Sequence, residues 1–364
     1  MRITLVGPTH PYKGGGARHT TELAHRLAAA GHRVVIESWR AQYPALLYPG
    51  QQTVTEPEGP PYPGTRRDLA WYRPDSWYRV GRRAGREADL VALAVFSPVQ
   101  VPPYLVLRAG CGTAARVVAL CHNVLPHEQR PGDTALMRAL LRRVDAVLTH
   151  SPQQRALADR LLGGSGPPVR MAELPPHLPD IGPRQPRPPG VRHRLLFFGI
   201  VRPYKGVDVL LRALAAGPPE VALTVAGEFW GGSAELRALA EQLGVAHRVE
   251  WREGYVPAGE LPALFAECDA VVLPYRSATA TQNVWLAHAH GVPVIATRVG
   301  TLPDQVRDGV DGLLCRPDDP ADLARAIADC YAPGRLDALR AGVRPVDTDA
   351  SWDRYLAALT DTAG

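Results

Sequence analysis

Apolar runs of strand length alternate with amphipathic helical stretches along this chain, and the alternation begins twice. The first series opens with "RITLVG", the helical "TELAHRLAAAGH" and the strand-like "RVVIESW". It resumes at "ADLVALAV" (88–95), "ARVVALCHN" (115–123), "DTALMRALLRRV" (133–144), "DAVLTHS" (145–151) and "PQQRALADRLL". The proline-rich stretch 174–190 then intervenes. Each proline lacks an N–H and fixes its φ, so this stretch reads as a linker outside any sheet or helix. At "RLLFFG" (194–199) the series restarts and runs through "VALTVAGE", "RVEWREGYV", "DAVVLPY" and "PVIATRVG", with helical segments between. Successive parallel strands need a crossover, and a helix is the usual one. The expected fold is therefore α/β, with two Rossmann-like domains facing each other across a cleft and a ligand at the carboxyl ends of the strands. The expected boundaries are 1–173 for the first domain, 174–190 for the linker and 191–345 for the second. A C-terminal helix, 346–364, is expected to pack back on the first domain. Residues 41–88, rich in Pro, Tyr, Trp and Arg, read as long loops with only short helices.

Composition narrows the setting. The five cysteines (111, 121, 268, 315, 330) are scattered, with no C-x-x-C spacing, which argues against a zinc site or a disulfide framework and for a reducing cytoplasm. No apolar run approaches the ~18 residues of a membrane span. The formal charge of +5 suits phosphate groups or an anionic membrane face, and equally an arginine-rich surface with no function. Arg138, Arg142 and Arg143, at helical spacing, are a candidate lipid-facing stripe or simply a solvated face.

Only two lysines occur, Lys13 and Lys205, and both sit in the tetrapeptide Pro-Tyr-Lys-Gly. Each copy follows a glycine-ended apolar run, in the first strand-to-helix loop of its series. Such loops deliver backbone N–H groups and a helix start to phosphate, and lysine adds a compact charge. Gly14, Gly15 and Gly16 let the first loop approach a ligand closely, and Gly206 does part of that in the second. The alternative is a turn repeated by chance.

In its order of motifs the chain resembles the GT-B-fold glycosyltransferases of the family 4 type. The resemblance rests on "LLFFGIVRPYKGVDVLLRAL", "VALTVAGE", "VVLPYRSATATQNVWLAHAHGVPVIATRVGTLPDQVRDGVDGLLCRPDDPADLARAI" and "SWDRYLAAL". It implies sugar transfer from a nucleotide diphosphate donor, usually with retention, and a hexosyltransferase is expected; the sequence shows no metal motif, and no cofactor is expected. Arg202 and Lys205 match the family's basic pair on the diphosphate, although Ile200 stands where an arginine commonly follows the strand glycine. Gly14–Gly16 match the loop that closes over the donor. His122 matches a histidine near the reacting sugar, and it also reads as a packed strand-end residue. Glu228, Arg252 and Tyr255 fall at turns near the nucleobase and ribose. His127 and Glu128 are weaker acceptor candidates.

One departure stands out. Where many members carry two glutamates for the donor sugar and the ribose, this chain has Ala278 and Leu286. The polar segment Thr281, Gln282, Asn283 is expected to supply donor contacts instead. The implied acceptor is a polysaccharide, a lipid-linked molecule or a secondary metabolite, with possible partners limited to small molecules and a peripheral membrane surface, not nucleic acid. The competing reading is a non-catalytic subunit that binds nucleotide sugar. Aromatic residues of 41–88 are a candidate acceptor platform or part of a core.

Overall fold

The computed structural model describes residues 1–44, 52–55, 57, 59–126, 128–178, 190 and 192–363. The chain divides into two compact units, residues 1–179 with 347–364, and residues 180–346. Most of the proline-rich segment (179–189) and His127 lie outside the described residues.

In the first unit, β1 (Arg2–Val6) leads into α1 (Gly15–Ala29) and β2 (Arg33–Ala41). Then come β3 (Thr65–Ala70), α2 (Pro74–Glu87), β4 (Leu90–Val95), α3 (Val101–Cys111) and β5 (Arg116–Cys121). The series ends with α4 (Asp133–Leu141), β6 (Ala146–Thr149), α5 (Pro152–Leu162) and β7 (Val169–Met171). The strands form one parallel sheet in the order β3-β2-β1-β4-β5-β6-β7. β4, β5 and β6 are apolar at nearly every position, as strands covered by helices on both faces must be.

The expectation of loops with only short helices over 41–88 is corrected here: β3 and the fourteen-residue α2 occupy much of it. Gly81 and Gly85 of α2 abut the carbonyls of Leu107 and Cys111 of α3, where a Cβ would collide with the backbone. The helix buries glycine where an ordinary helix shows a leucine stripe, so its periodicity is blank in the sequence.

The second unit repeats the pattern. Its elements are β8 (Arg194–Phe198), α6 (Val207–Ala216), β9 (Ala222–Gly227), α7 (Ala234–Gln242), β10 (Val249–Glu253), α8 (Leu261–Ala266), β11 (Ala270–Leu273) and α9 (Asn283–Ala289). β12 (Val294–Thr297), α10 (Leu302–Gln305), β13 (Gly312–Cys315), α11 (Pro320–Cys330) and α12 (Arg335–Gly342) follow. The parallel order is β10-β9-β8-β11-β12-β13. Both sheets reverse direction of winding at one point, between β1 and β4 and between β8 and β11, and the loops leaving those strands form a crevice in each unit.

The last helix, α13 (Thr348–Thr360), belongs to the first unit. Trp352, Tyr355, Leu356 and Leu359 join the core formed by β1, β5, β6 and α1, and Trp352 Nε1 donates to the Pro176 carbonyl at 2.9 Å.

Candidate functional site

In the second unit, the crevice is built around Gly199, which follows β8 with φ 108°. Asn283, first residue of α9, donates its side-chain amide to the Phe198 carbonyl (2.8 Å) and to the Tyr275 hydroxyl (3.2 Å). It thus ties the end of β8 to the loop after β11. Pro203–Lys205 form a single 3₁₀ turn, and Gly206 at φ 68° passes the chain into α6. A Cβ on Gly206 would overlap the Pro274 carbonyl, so only glycine permits this approach. Arg276 holds the loop from the other side: two bonds to Asp208 (2.8 and 2.7 Å), one to the Pro203 carbonyl (2.8 Å) and one to Asp318 (2.9 Å).

Lys205 differs from Arg276 in a way that matters. Its Nζ lies 5.4 Å from the centre of the Tyr275 ring, and no carboxylate pairs with it among the described residues. Burial, and secondly the Arg202 charge, bring its ammonium down to about 8. Arg202 stacks over the Trp230 ring at 4.9 Å and near Tyr204 at 5.9 Å, which orients its planar fork. The loops after β8 and β9 run side by side, with Val201 N donating to the Glu228 carbonyl (2.7 Å) and Trp230 N to the Val201 carbonyl (3.2 Å). Two cations thus converge beside a strand-end glycine, one without a counter-charge. An anion placed there gains attraction and relieves the cost of an unpaired half-buried ammonium.

The remaining candidates of this unit divide. Glu228 borders the loop through its backbone. Thr281 bonds to the Asn283 N–H through its Oγ1 (3.2 Å), and its hydroxyl also meets the Tyr275 hydroxyl. Gln282 precedes α9 as its N-cap. Arg252 is not brought to the cluster: Glu250 and Glu267 each engage its guanidinium at 2.7 Å. Tyr255 follows β10, half-buried.

In the first unit, Gly14 caps α1 with φ 86°. A Cβ on Gly16 would come within 2.7 Å of the Phe96 ring, and one on Gly15 would lie 3.5 Å from His177 Nε2. Phe96 in turn stacks on His122 (4.2 Å, 16°). His122 follows β5 and lies edge-on to His19 at 4.7 Å, with His150 at 4.9 Å; His177 reaches His19 at 5.1 Å. The imidazole Nε2 atoms of His19, His122 and His150 are enclosed without a hydrogen-bond partner among the described residues. Burial first, then mutual repulsion, hold His19 and His122 well below the ordinary histidine value; burial alone takes His150 to about 4 and mainly burial takes His177 to about 3. All four imidazoles are neutral at pH 7. Among the described residues no cluster of His, Cys, Asp and Glu is arranged to hold a metal ion. The five cysteines are free and buried. Glu128 is exposed.

Sequence reasoning missed Trp230, Tyr275, Arg276, His19, His150 and His177. Tyr275–Arg276 and Phe229–Trp230 each begin two residues beyond the end of a strand, and that position was the available signal.

The sequence matches the Glycosyltransferase Family 4 description over residues 13–175 and that of Glycosyl transferases group 1 over residues 192–332. It is 32% identical over 284 residues to the GDP-mannose-dependent alpha-(1-6)-phosphatidylinositol monomannoside mannosyltransferase of Mycolicibacterium smegmatis, covering 71% of each chain. It is 34% identical over 235 residues to a D-inositol 3-phosphate glycosyltransferase of Actinosynnema mirum, covering 57% of this chain and 55% of that one. Among solved structures it is similar to Anabaena HepE in complex with UDP-glucose (TM-score 0.69, 18% identity, 100% of this chain and 98% of that one). The lipopolysaccharide glycosyltransferase WaaG is another (TM-score 0.67, 18% identity, 100% of both chains). At that identity the structural likeness shows the fold alone.

Proposed function

The chain belongs to glycosyltransferase family 4 and is a nucleotide-sugar-dependent glycosyltransferase of the GT-B fold, and on that premise we propose what it binds and how it acts. The donor is a nucleoside diphosphate hexose whose diphosphate lies against Arg202 and Lys205. The observation that carries this is the half-buried Lys205 ammonium, which has no carboxylate partner among the described residues and sits at the crevice of the second sheet. As the bond from the anomeric carbon to the diphosphate oxygen breaks, that oxygen keeps the electron pair, and the two cations stabilise the growing charge. The acceptor oxygen bonds to the same carbon, its proton passes to the departing anion, and the configuration is retained. No resident metal enters this reading. His122, neutral at pH 7, offers a hydrogen bond to a sugar hydroxyl rather than a proton to the leaving group.

The acceptor we propose is a hydroxyl of a phosphorylated or lipid-linked polyol, in the cytoplasm. The printed names of the two relatives, one a phosphatidylinositol monomannoside transferase and one an inositol 3-phosphate transferase, support that class. A thermal-shift panel of nucleotide sugars, followed by turnover of the best stabiliser on such acceptors, tests the reading. Stabilisation that vanishes in Lys205→Ala is expected. If no nucleotide sugar raises the melting temperature, the donor assignment fails; an inverted anomeric proton coupling in the product would sink retention alone.

A further inference from the structure

The two lysines share one tetrapeptide and differ in what surrounds the amine. In the first copy His10 stands where Arg202 stands in the second. The Lys205 side chain is half-buried over Tyr275, and no hydrogen bond or ion pair engages its Nζ among the described residues. The carboxylates that border its loop, Asp208 and Asp318, are both held by Arg276. A Cβ on Gly199 would lie 3.5 Å from Nζ and 3.5 Å from the Asn283 amide nitrogen. The absent side chain leaves room beside the amine for a small planar group. That space has a fixed wall, because the Asn283 amide is committed to the Phe198 carbonyl and the Tyr275 hydroxyl.

Arg202 supplies the second half of the arrangement. Its charge acts on Lys205, and its guanidinium is set over Trp230 at 4.9 Å. An amine without a partner thus stands next to an oriented phosphate-binding fork. With its ammonium at about 8, roughly 24% of Lys205 is unprotonated at pH 7.5, against about 0.1% at the ordinary 10.5. The gain in free amine is about 240-fold. A less basic amine is also a weaker nucleophile, and the Brønsted slope of ~0.5 measured for thiols, applied here, takes back about 18-fold. The net advantage is about tenfold before any recruitment by Arg202.

We propose that Lys205 is a site of acylation by acyl phosphates, whose phosphoryl group lodges on Arg202 while the acyl carbon meets Nζ. The unprotonated nitrogen attacks the acyl carbon and a C–N bond forms. The C–O bond to phosphate breaks, and the phosphate leaves with the electron pair and takes the proton that nitrogen gives up. The product is an uncharged amide, so the donor site keeps one of its two cations and loses affinity for a diphosphate. A thioester fits less well, since its acyl carbon carries no adjacent phosphoryl group for Arg202 to hold. The proposal rests on Arg202 and Lys205 being the phosphate-binding pair of the donor reading, and adds a reaction to it.

Incubation of the full chain with acetyl phosphate at pH 7.5, followed by mass spectrometry of the two lysine-bearing peptides, tests it. Lys205 should be acetylated at least about tenfold faster than Lys13. Its rate should saturate in acetyl phosphate and be blocked by inorganic pyrophosphate. Arg202→Gln should slow Lys205 by about tenfold and leave Lys13 unchanged, the second result reporting an intact fold. Acetic anhydride, which brings no phosphoryl group, should favour Lys205 less. Equal rates at the two lysines overturn the proposal. So does a Lys205 rate insensitive to pyrophosphate or to Arg202→Gln, or faster modification by acetyl coenzyme A than by equimolar acetyl phosphate. If nucleotide sugars stabilise the protein and Lys205 is not preferred, the acylation fails and the donor assignment stands. If Lys205 is preferred and no nucleotide sugar protects it, the donor assignment fails and the acylation stands.

Discussion

Lys205 links the geometry of the second crevice to a titration that binding must shift. With its ammonium at about 8 in the free protein, the lysine is charged at pH 7 and mostly neutral at pH 9. A diphosphate beside it favours the charged form and returns the group toward its ordinary value, so a nucleotide sugar binding above pH 8 takes up a proton. The affinity is then flat below pH 8 and falls about tenfold per pH unit above it, which makes Kd at pH 9 about ten times that at pH 7. Lys205→Met removes a charge-assisted contact and should weaken binding by ~10–150-fold at pH 7 while abolishing the slope. Lys205→Arg should keep much of the affinity and show no slope, which separates the lysine from any ionisation of the nucleobase.

The same group acts on stability with a definite sign. Its folded value lies below its unfolded one, so the unfolded chain binds more protons between pH 8 and 10.5. Stability of the ligand-free protein therefore rises with pH through that window, and the charged lysine is most destabilising below it. Calorimetry at pH 8.5 in two buffers of different ionisation enthalpy reads the proton uptake directly. An affinity equal at pH 7 and pH 9, or a decline that persists in Lys205→Arg, would refute the reasoning.

Other consequences are as direct. Gly206→Ala forces a side chain into a left-handed position against the Pro274 carbonyl and should cost about 2–4 kcal/mol in denaturant unfolding; a loss under 1 would mean the loop is free to shift. Arg276→Ala frees Asp208 and the Pro203 carbonyl, with a loss of about 2 kcal/mol, and Arg276→Lys should restore less than half because it lacks the fork. His150 and His177 are neutral in the fold at pH values where the unfolded chain is protonated, so their contribution is complete above pH 6.5 and is lost as pH falls toward about 4 and about 3. Each should add a slope of about 1.4 kcal/mol per pH unit below 6.5. His150→Phe should reduce the acid slope by about one such increment, and an unchanged slope in urea titrations would count against it.

What the sequence discloses depends on whether a feature is local. β4, β5 and β8 are legible because strands covered on both sides must be apolar at consecutive positions. The α2 helix escapes that logic, since its buried face is mostly small residues, Ser76, Gly81, Ala84 and Gly85 with only Val80 larger, and arginines make much of the rest. The histidine cluster escapes it too: His19 comes from α1, His122 and His150 from the ends of neighbouring strands, His177 from the segment after β7, and α13 closes over them with Trp352 and Tyr355. Only tertiary contact brings these rings together. Arg252 shows the opposite case, a residue at the expected strand end whose guanidinium the fold directs to Glu250 and Glu267.

The two Pro-Tyr-Lys-Gly copies bring both kinds of information into one comparison. Each ends in a glycine with positive φ that caps the first helix of its unit, Gly14 at 86° and Gly206 at 68°. That shared role is local and is what the repeat encodes. Their surroundings then separate them. The first copy runs extended beside residues 52–54, with Val54 N donating to the Pro11 carbonyl and Lys13 N to the Gln52 carbonyl. The second coils into a 3₁₀ turn clamped by Arg276, and the turn carries Lys205 in over Tyr275. A tetrapeptide fixes a cap, whereas the chemistry of its lysine is set by what the neighbouring strand ends place around it. Exchanging Lys13 for Met should accordingly leave the pH slope of nucleotide-sugar affinity intact, and a slope lost in that variant would move the titrating group to the first unit.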